Sequence, residues 1–366
     1  LLVINSGSVA VDTAGIEKVR NKDVLDSEDF QIIDNFVGQA VAELVETRDF
    51  SDIGKIRMVI LSHSRPNKES ARVQYATQFY KSAHKYISEA LRDASRLTAE
   101  DRKFVVTLNI LILIDGLLAD APENLQLANL AIGLLNDDKP VIRYWAVHSL
   151  TNAGITRQLN STEVDNSELA RRIAEQLQGL VEHSSPEIIV LMAEFAADVN
   201  VAQAEDLLLR IADMRIKRYA NWTVEYELLD STVLKSLCEK ISSAGQNKPD
   251  VGRRFGLLYS YAMQRYIKGR NYLSATQKQQ LVSVLAETED KCIRRLLDKP
   301  QSTIRQAIGR DDYETLLLEH NRLLGDETRA GQLARKLNFH YGVGPNGNKR
   351  IAPPPLPEPP KTEVSE

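Results

Sequence analysis

The sequence predicts an all-α chain, an irregular α-solenoid of stacked helical hairpins that ends in a disordered proline-rich tail, and three observations predict it. Residues 134–146 write the end of one helix, a tight turn and the start of the next in consecutive letters, with Asn136-Asp137-Asp138-Lys139-Pro140 as the turn. That turn has an echo at residues 180–189, where Pro186 lies 46 positions after Pro140, and a second echo upstream at residues 60–66, ending on Pro66. From Ser27 onward, apolar residues recur at helical spacing almost without pause, and no convincing alternating strand pattern interrupts them.

Taken in order, the chain opens on Leu1-Leu2-Val3-Ile4, and Ser8 and Ala10 fit the small-x-small pattern of a signal-peptidase site. The first ten residues are therefore expected to be the remnant of a signal peptide, with mature protein from about Val11 and an extracytoplasmic location, periplasmic or secreted. The alternative is an N-terminal strap on a cytoplasmic protein. No other window approaches the roughly 18 uninterrupted apolar residues a membrane span needs, so no transmembrane segment is predicted.

Phe36, Val37, Ala40, Val41, Leu44 and Val45 make one helical stripe, and Ile53, Ile56, Val59 and Ile60 make the next. A long helix over 69–96 follows, and Thr98-Ala99-Glu100-Asp101 opens another in the manner of a capping box. The run from Val105 to Ile114 leaves little polar face, which predicts a helix covered on several sides; a buried strand is the alternative. Helices are then expected at 123–135 and from Pro140 to about Asn152, where Gly154 stops the second. Residues 160–167 are a polar linker. Further helices are expected at 168–183, 186–199, 203–219, 222–243, 249–268, 274–290 and 301–323, with Ser274-Ala275-Thr276-Gln277 as a capping box. Residues 11–340 thus form the helical domain, clearest as repeats over 122–199. From 341 to 366, glycine and proline dominate and predict a disordered segment of polyproline character.

The turn letters have a physical reading. Pro140 suits the first helical position, where its missing N–H removes no intrahelical bond, and Asp138 is placed to meet the orphan amides and the positive helix end. Pro186 behind Ser184-Ser185 repeats the device with a hydroxyl cap. The pattern Asp138-x-Pro140-x-Ile142-Arg143-x-x-Ala146-x-x-x-Leu150, preceded by Leu134-Leu135, resembles the core of a HEAT repeat, an armadillo-like helical unit. The spacing of 46 falls within the ~40–47 residues such repeats take. Where the second turn would repeat Arg143 it has Ile189, and the spacing of 74 positions from Pro66 to Pro140 contains no recognisable intermediate turn, so the array is expected to be irregular. The resemblance implies a scaffold that holds a protein or peptide partner. A non-repeating helical bundle containing one such hairpin is the alternative.

Composition is that of a globular chain, 43% hydrophobic and 26% charged, and the formal net charge of −4 argues against a dedicated nucleic-acid binder. Cys238 and Cys292 are too few for a disulfide framework and could pair or stay free. Gly342-Val343-Gly344-Pro345-Asn346-Gly347 matches G-x-G-x-x-G, yet it follows a helix and precedes the proline run, the wrong context for a dinucleotide. No two histidines stand at helical metal-pair spacing, His148 reads as a packed or hydrogen-bonded residue, and the pairs Asp137-Asp138 and Asp311-Asp312 read as helix-start caps. No catalytic residue, metal ligand or cofactor is predicted.

The candidate recognition surface lies on the helix at 249–268. Phe255, Leu258, Tyr259, Ala262 and Tyr266 form its core stripe, while Arg254, Tyr261, Arg265 and Lys268 project about a quarter-turn away along one line, cationic and aromatic together. Arg215, Lys217 and Arg218 could extend it into a basic groove; salt bridges to neighbours such as Glu225 and Glu227 are the plainer reading. Of Tyr144 and Trp145, at least one is expected in the core and the other on a concave, partner-binding face. The expected function is a non-catalytic interaction scaffold. The alternatives are an enzyme on a helical-repeat frame, or a polyanion-binding module using the line from Arg254 to Lys268.

Overall fold

Helix is the regular structure throughout the described residues; they contain no strand, and only two isolated antiparallel bridges, Gly325 with Ala330 and Val343 with Lys349. The computed structural model describes residues 11–120, 125–161, 164–243, 247–344 and 347–360, so the expected leader and the first residues of the helix expected at 123 lie outside it. The chain divides into two compact units, Leu1–Asn166 and Ser167–Glu366, and the linker expected at 160–167 is helical from Val164.

The first unit holds α1 (Ala14–Arg20), α2 (Ser27–Glu46), α3 (Phe50–Ser62), α4 (Arg72–Ala94), α5 (Glu100–Asp120), α6 (Gln126–Ile132), α7 (Pro140–Thr151) and α8 (Ala153–Leu159). The longer helices pack on near neighbours along the chain: α2 on α3 and α4, α3 on α5, α4 on α5 and α6, and α5 on α6 and α7. The expected stripes are where the core lies. Phe36, Val37, Ala40, Val41 and Leu44 of α2 are buried, as are Ile53, Ile56 and Ile60 of α3, whereas Val45 and Val59 sit at the margins. The β-branched run of α5 is helix, covered on several sides because α3, α4, α6, α7 and α8 all pack against it.

The turns correct several expectations. Pro140 does occupy the first turn of α7, but the cap residue is Lys139, and its N–H donates to Asp137 Oδ1 at 2.8 Å while Asp138 stays exposed. Gly154 does not stop α7. Asn152 ends that helix and immediately caps α8, its Oδ1 accepting from Gly154 N and Ile155 N at 3.1 Å. Glycine is required there because a Cβ would lie 2.9 Å from the Ala119 Cα and carbonyl oxygen, so α8 can begin only against the bare backbone of α5. Pro66 begins no helix: α4 starts at Arg72, behind a short 3₁₀ turn at Glu69–Ala71.

In the second unit α9 (Val164–Leu180), whose first residues lie before the boundary, leads to α10 (Pro186–Asp198), α11 (Ala202–Ala220), α12 (Leu229–Ser243), α13 (Lys248–Lys268) and α14 (Ala275–Thr288). Then come a π turn at Glu289–Ile293, α15 (Arg294–Leu297), α16 (Thr303–Gly309), α17 (Tyr313–Leu324) and α18 (Gln332–Leu337). The same neighbour pattern runs from α10 to α14, after which α13 also takes α17 and α18. Pro186 opens α10 as expected, but without the hydroxyl cap: the Ser185 side chain accepts from no helix amide, and Ser184 Oγ turns back to Leu180 O at 2.8 Å.

The Ser274–Gln277 capping box forms as read. The helix expected at 301–323 is broken at Arg310-Asp311-Asp312, where Asp311 takes positive φ and Asp312 caps α17. α16 receives its cap from a distance, because the buried Glu289 carboxylate accepts from Ile304 N at 2.8 Å and Arg305 N at 2.9 Å. Cys238 and Cys292 are both free and buried where α12 meets the π turn, Cys238 Sγ lying 4.0 Å from Cys292 O.

Candidate functional site

The proline-rich segment, expected to be disordered from about 341, instead lies against α13 over its described residues. It is reached through a hairpin: Tyr341 N donates to Arg350 O and Arg350 N to Gly342 O, both at 2.9 Å, with positive φ at Gly342 and Gly347. The glycines of the G-x-G-x-x-G letters, Gly342, Gly344 and Gly347, thus belong to that hairpin. The side chains of Phe339 and Tyr341 close on α13 where it offers Gly256, at which a Cβ would stand 3.0 Å from the Phe339 ring.

Beyond the hairpin, Pro353 and Leu356 are buried and Pro359 is half-buried, while Pro355, Pro357 and Glu358 face outward. A burial period of three, with φ fixed by proline, is that of a left-handed polyproline helix. Such a helix has no internal hydrogen bonds, so its carbonyls are free to accept. Trp222 Nε1 donates to Pro357 O at 3.0 Å, Gln264 Nε2 to Pro354 O at 3.3 Å, and Lys268 Nζ to Leu356 O at 2.7 Å. Between Pro353 and Pro357 only Leu356 carries an N–H, and Gln264 Oε1 accepts it at 2.6 Å. Lys268 also meets the Glu358 carboxylate at 2.7 Å.

The groove residues are held from behind. Trp222 sits just past α11 with φ of 58°, outside the usual range for a residue with a side chain. Its ring meets Tyr272 edge-on at 5.4 Å and the Arg265 guanidinium at 5.2 Å. Gln264 Nε2 also donates to Ser260 Oγ at 2.9 Å, and Ser260 Oγ lies 2.8 Å from His320 Nε2. Burial pushes the His320 imidazole below its ordinary value, so it stays neutral; with its Nδ1 hydrogen toward Asn321 Oδ1, Nε2 accepts from Ser260. Proton donation then runs in one direction from Leu356 N–H through Gln264 and Ser260 to His320, and the second hydrogen of Gln264 Nε2 serves Pro354 O.

The expected cationic line does not form one exposed surface. Arg265 is 1% exposed: Nη2 donates to Glu227 Oε1 at 3.0 Å and to Val224 O, and Nε and Nη1, which have no hydrogen-bond partner, belong to a guanidinium that stacks on Trp222 and Tyr219 instead. Tyr261 is buried as well, and burial raises its hydroxyl pKa. Arg254 is clamped to both oxygens of Asp213 at 2.9 Å and to Asp250 at 2.6 Å. Only Lys268 reaches the groove, and the chain's own tail takes it. Arg215 is fully buried too, its charge kept by Asp230 against the cost of burial, and it holds the 221–228 loop through Glu225 O and Tyr226 O. A line at one helix spacing on α13 therefore points to three separate environments.

Tyr144 and Trp145 belong to the first unit, and both are half-buried on α7. With His148 they form an aromatic cluster whose centroids are 5.2 to 5.9 Å apart, and His148 Nδ1 meets Asp115 Oδ1 at 2.8 Å. Of the repeat-defining residues, Ile142, Ala146 and Leu150 are core, and Arg143 is half-buried. Sequence reading missed Trp222, Gln264 and the strap that residues 351–360 lay along α13. The signal available was Pro353-x-x-Leu356, an apolar residue at the three-residue period of a proline run. Comparison of the chain with family models, with curated proteins and with solved structures finds no match.

Proposed function

We propose that the chain is a non-catalytic interaction scaffold, an irregular HEAT-like stack of helical hairpins that presents helix faces to a protein partner. The observation that carries this reading is the packing order, in which the helices from α10 to α14, and α2, α4 and α5 in the first unit, contact the next and the next but one, so that neighbours cover one another's apolar faces. Prolines at the first turns of α7 and α10 support it. In the second unit, α11 and α13 leave a recess of about 400 Å³ lined by Asp206, Arg210, Asp213, Lys217, Asp250 and Arg254, of which Asp206, Arg210, Asp213 and Lys217 are exposed. Such alternating charge suits a peptide carrying both signs, and electrostatic matching of this kind favours specificity and fast association.

The test uses the full chain as bait beside its Arg210→Glu/Lys217→Glu variant. Partners retained by the natural chain are expected to be lost by the variant at unchanged helicity. Retention of the same proteins by both, with turnover of a small molecule, would overturn the reading.

A further inference from the structure

We infer that the groove along α13 is a reader of proline-rich segments, one that a partner protein's segment of the pattern Pro-x-x-Leu-Pro-Glu can enter and that the chain's own residues 353–358 occupy in cis. The inference rests on the scaffold reading and supplies it with the chemistry of a partner.

The groove recognises backbone more than side chains. Three of its donors, Trp222 Nε1, Gln264 Nε2 and Lys268 Nζ, aim at three carbonyls within four residues, and its one acceptor, Gln264 Oε1, takes the single N–H the prolines leave. Side-chain selection is confined to two inward positions, Pro353 and Leu356, and to an acid two residues after the leucine, which Lys268 meets. Any chain with those letters satisfies the same set. Polyproline segments also lose little entropy on docking, since proline already limits their freedom.

The receptor half is assembled without the strap. Trp222 is fixed by Arg265 and Tyr272, and Gln264 by Ser260 and His320, all of them residues of the helical body. The strap contributes no core beyond its two inward side chains, and it follows a hairpin with its own hydrogen bonds at Tyr341 and Arg350, so only the residues after 350 must lift for the groove to open. Tethering sets the competition: a ligand on a short linker has an effective concentration on the order of 1 mM, which hides the groove from a dilute competitor until the strap is released.

The test opens the strap in two ways in the full chain, by Leu356→Asp, and by a protease site inserted between Ala352 and Pro353 that is cut after folding. The probe is a fluorescein-labelled synthetic peptide of residues 351–360. Both opened chains are expected to bind it at least about tenfold more tightly than the natural chain. Adding Trp222→Phe, which keeps a ring and removes the N–H, is expected to weaken that binding severalfold, and a peptide with aspartate for leucine is expected not to bind. If Leu356→Asp does not fold, the cut chain decides alone, because its strap is severed only after folding. Peptide binding that is absent from the cut chain, or equal in cut and natural chains, overturns the proposal. If the Arg210- and Lys217-dependent partners are still captured in that case, the scaffold reading survives it.

Discussion

The two units fix their inter-helix turns by opposite means. In the first unit, the connection from α6 to α7 is short and local: Asp137 accepts from Lys139 N, Pro140 starts the helix, and the apolar residues on either side do the rest. In the second, the eight residues between α11 and α12 are clamped by two buried arginines. Arg215 reaches Asp230, Glu225 O and Tyr226 O; Arg265 reaches Glu227 and Val224 O. A local turn tolerates the loss of one contact. A loop held by a buried charge does not, because removing one partner leaves the other charged in a place without water.

That contrast predicts the largest effect in the molecule. Asp230→Ala strands the Arg215 guanidinium and the Tyr219 hydroxyl, which donates to Asp230 Oδ2 at 2.6 Å, and is expected to destabilise the second unit by about 3–5 kcal/mol in urea unfolding. Replacing both partners with apolar residues of similar volume, Arg215→Met with Asp230→Leu, is expected to recover most of the loss. A double variant no more stable than the single would mean that the loop needs the ion pair for its shape. In the first unit, the matching test is Gly154→Ala. The added methyl meets the main chain of α5, which cannot rotate away as a side chain can, so a loss of about 1–3 kcal/mol is expected from the same measurement. A loss within error would show that α8 can slide along α5.

The same contrast decides what was legible in the letters. Helix existence, the stripes of α2 and α3, and the first turns of α7 and α10 depend on residues within a few positions of one another, and periodicity and proline placement report those directly. The break at Arg310-Asp311-Asp312 was lost because it is one residue at positive φ, a geometry that aspartate can adopt but does not announce. The cap of α16 by Glu289 and the pairs Arg215–Asp230 and Arg265–Glu227 join residues 15 to 38 positions apart, and nothing local marks them. Arg265 shows the limit best. Whether a residue beside the core stripe of α13 meets water or a second loop depends on what the fold lays over it. The strap was read from composition, and composition describes what a proline run cannot build alone; it says nothing of a groove elsewhere in the chain that supplies the missing donors.

Two histidines, His320 in the second unit and His148 in the first, carry the comparison down to its smallest effects, and they differ in sign. His320 is buried against neutral partners, so its folded pKa lies below the ordinary value; as pH falls, the unfolded chain takes up a proton first, and stability present above the ordinary value is lost as pH drops toward the folded one. His148 is the reverse. Its hydrogen bond and charge interaction with Asp115 raise its folded pKa against the opposing effect of burial, so its contribution is fully present below the ordinary value and is lost as pH rises through the raised one. Because the His148 side chain is one-third exposed, that contribution is expected to be about 1 kcal/mol or less. NMR titration of the imidazole Cε1 protons, beside urea unfolding of His148→Gln at about pH 5.5 and about pH 8, separates the two. The variant is expected to lose stability relative to the natural chain at the lower pH and to match it at the higher, and a His148 that titrates below His320 would place the Asp115 pair in solution rather than in the protein.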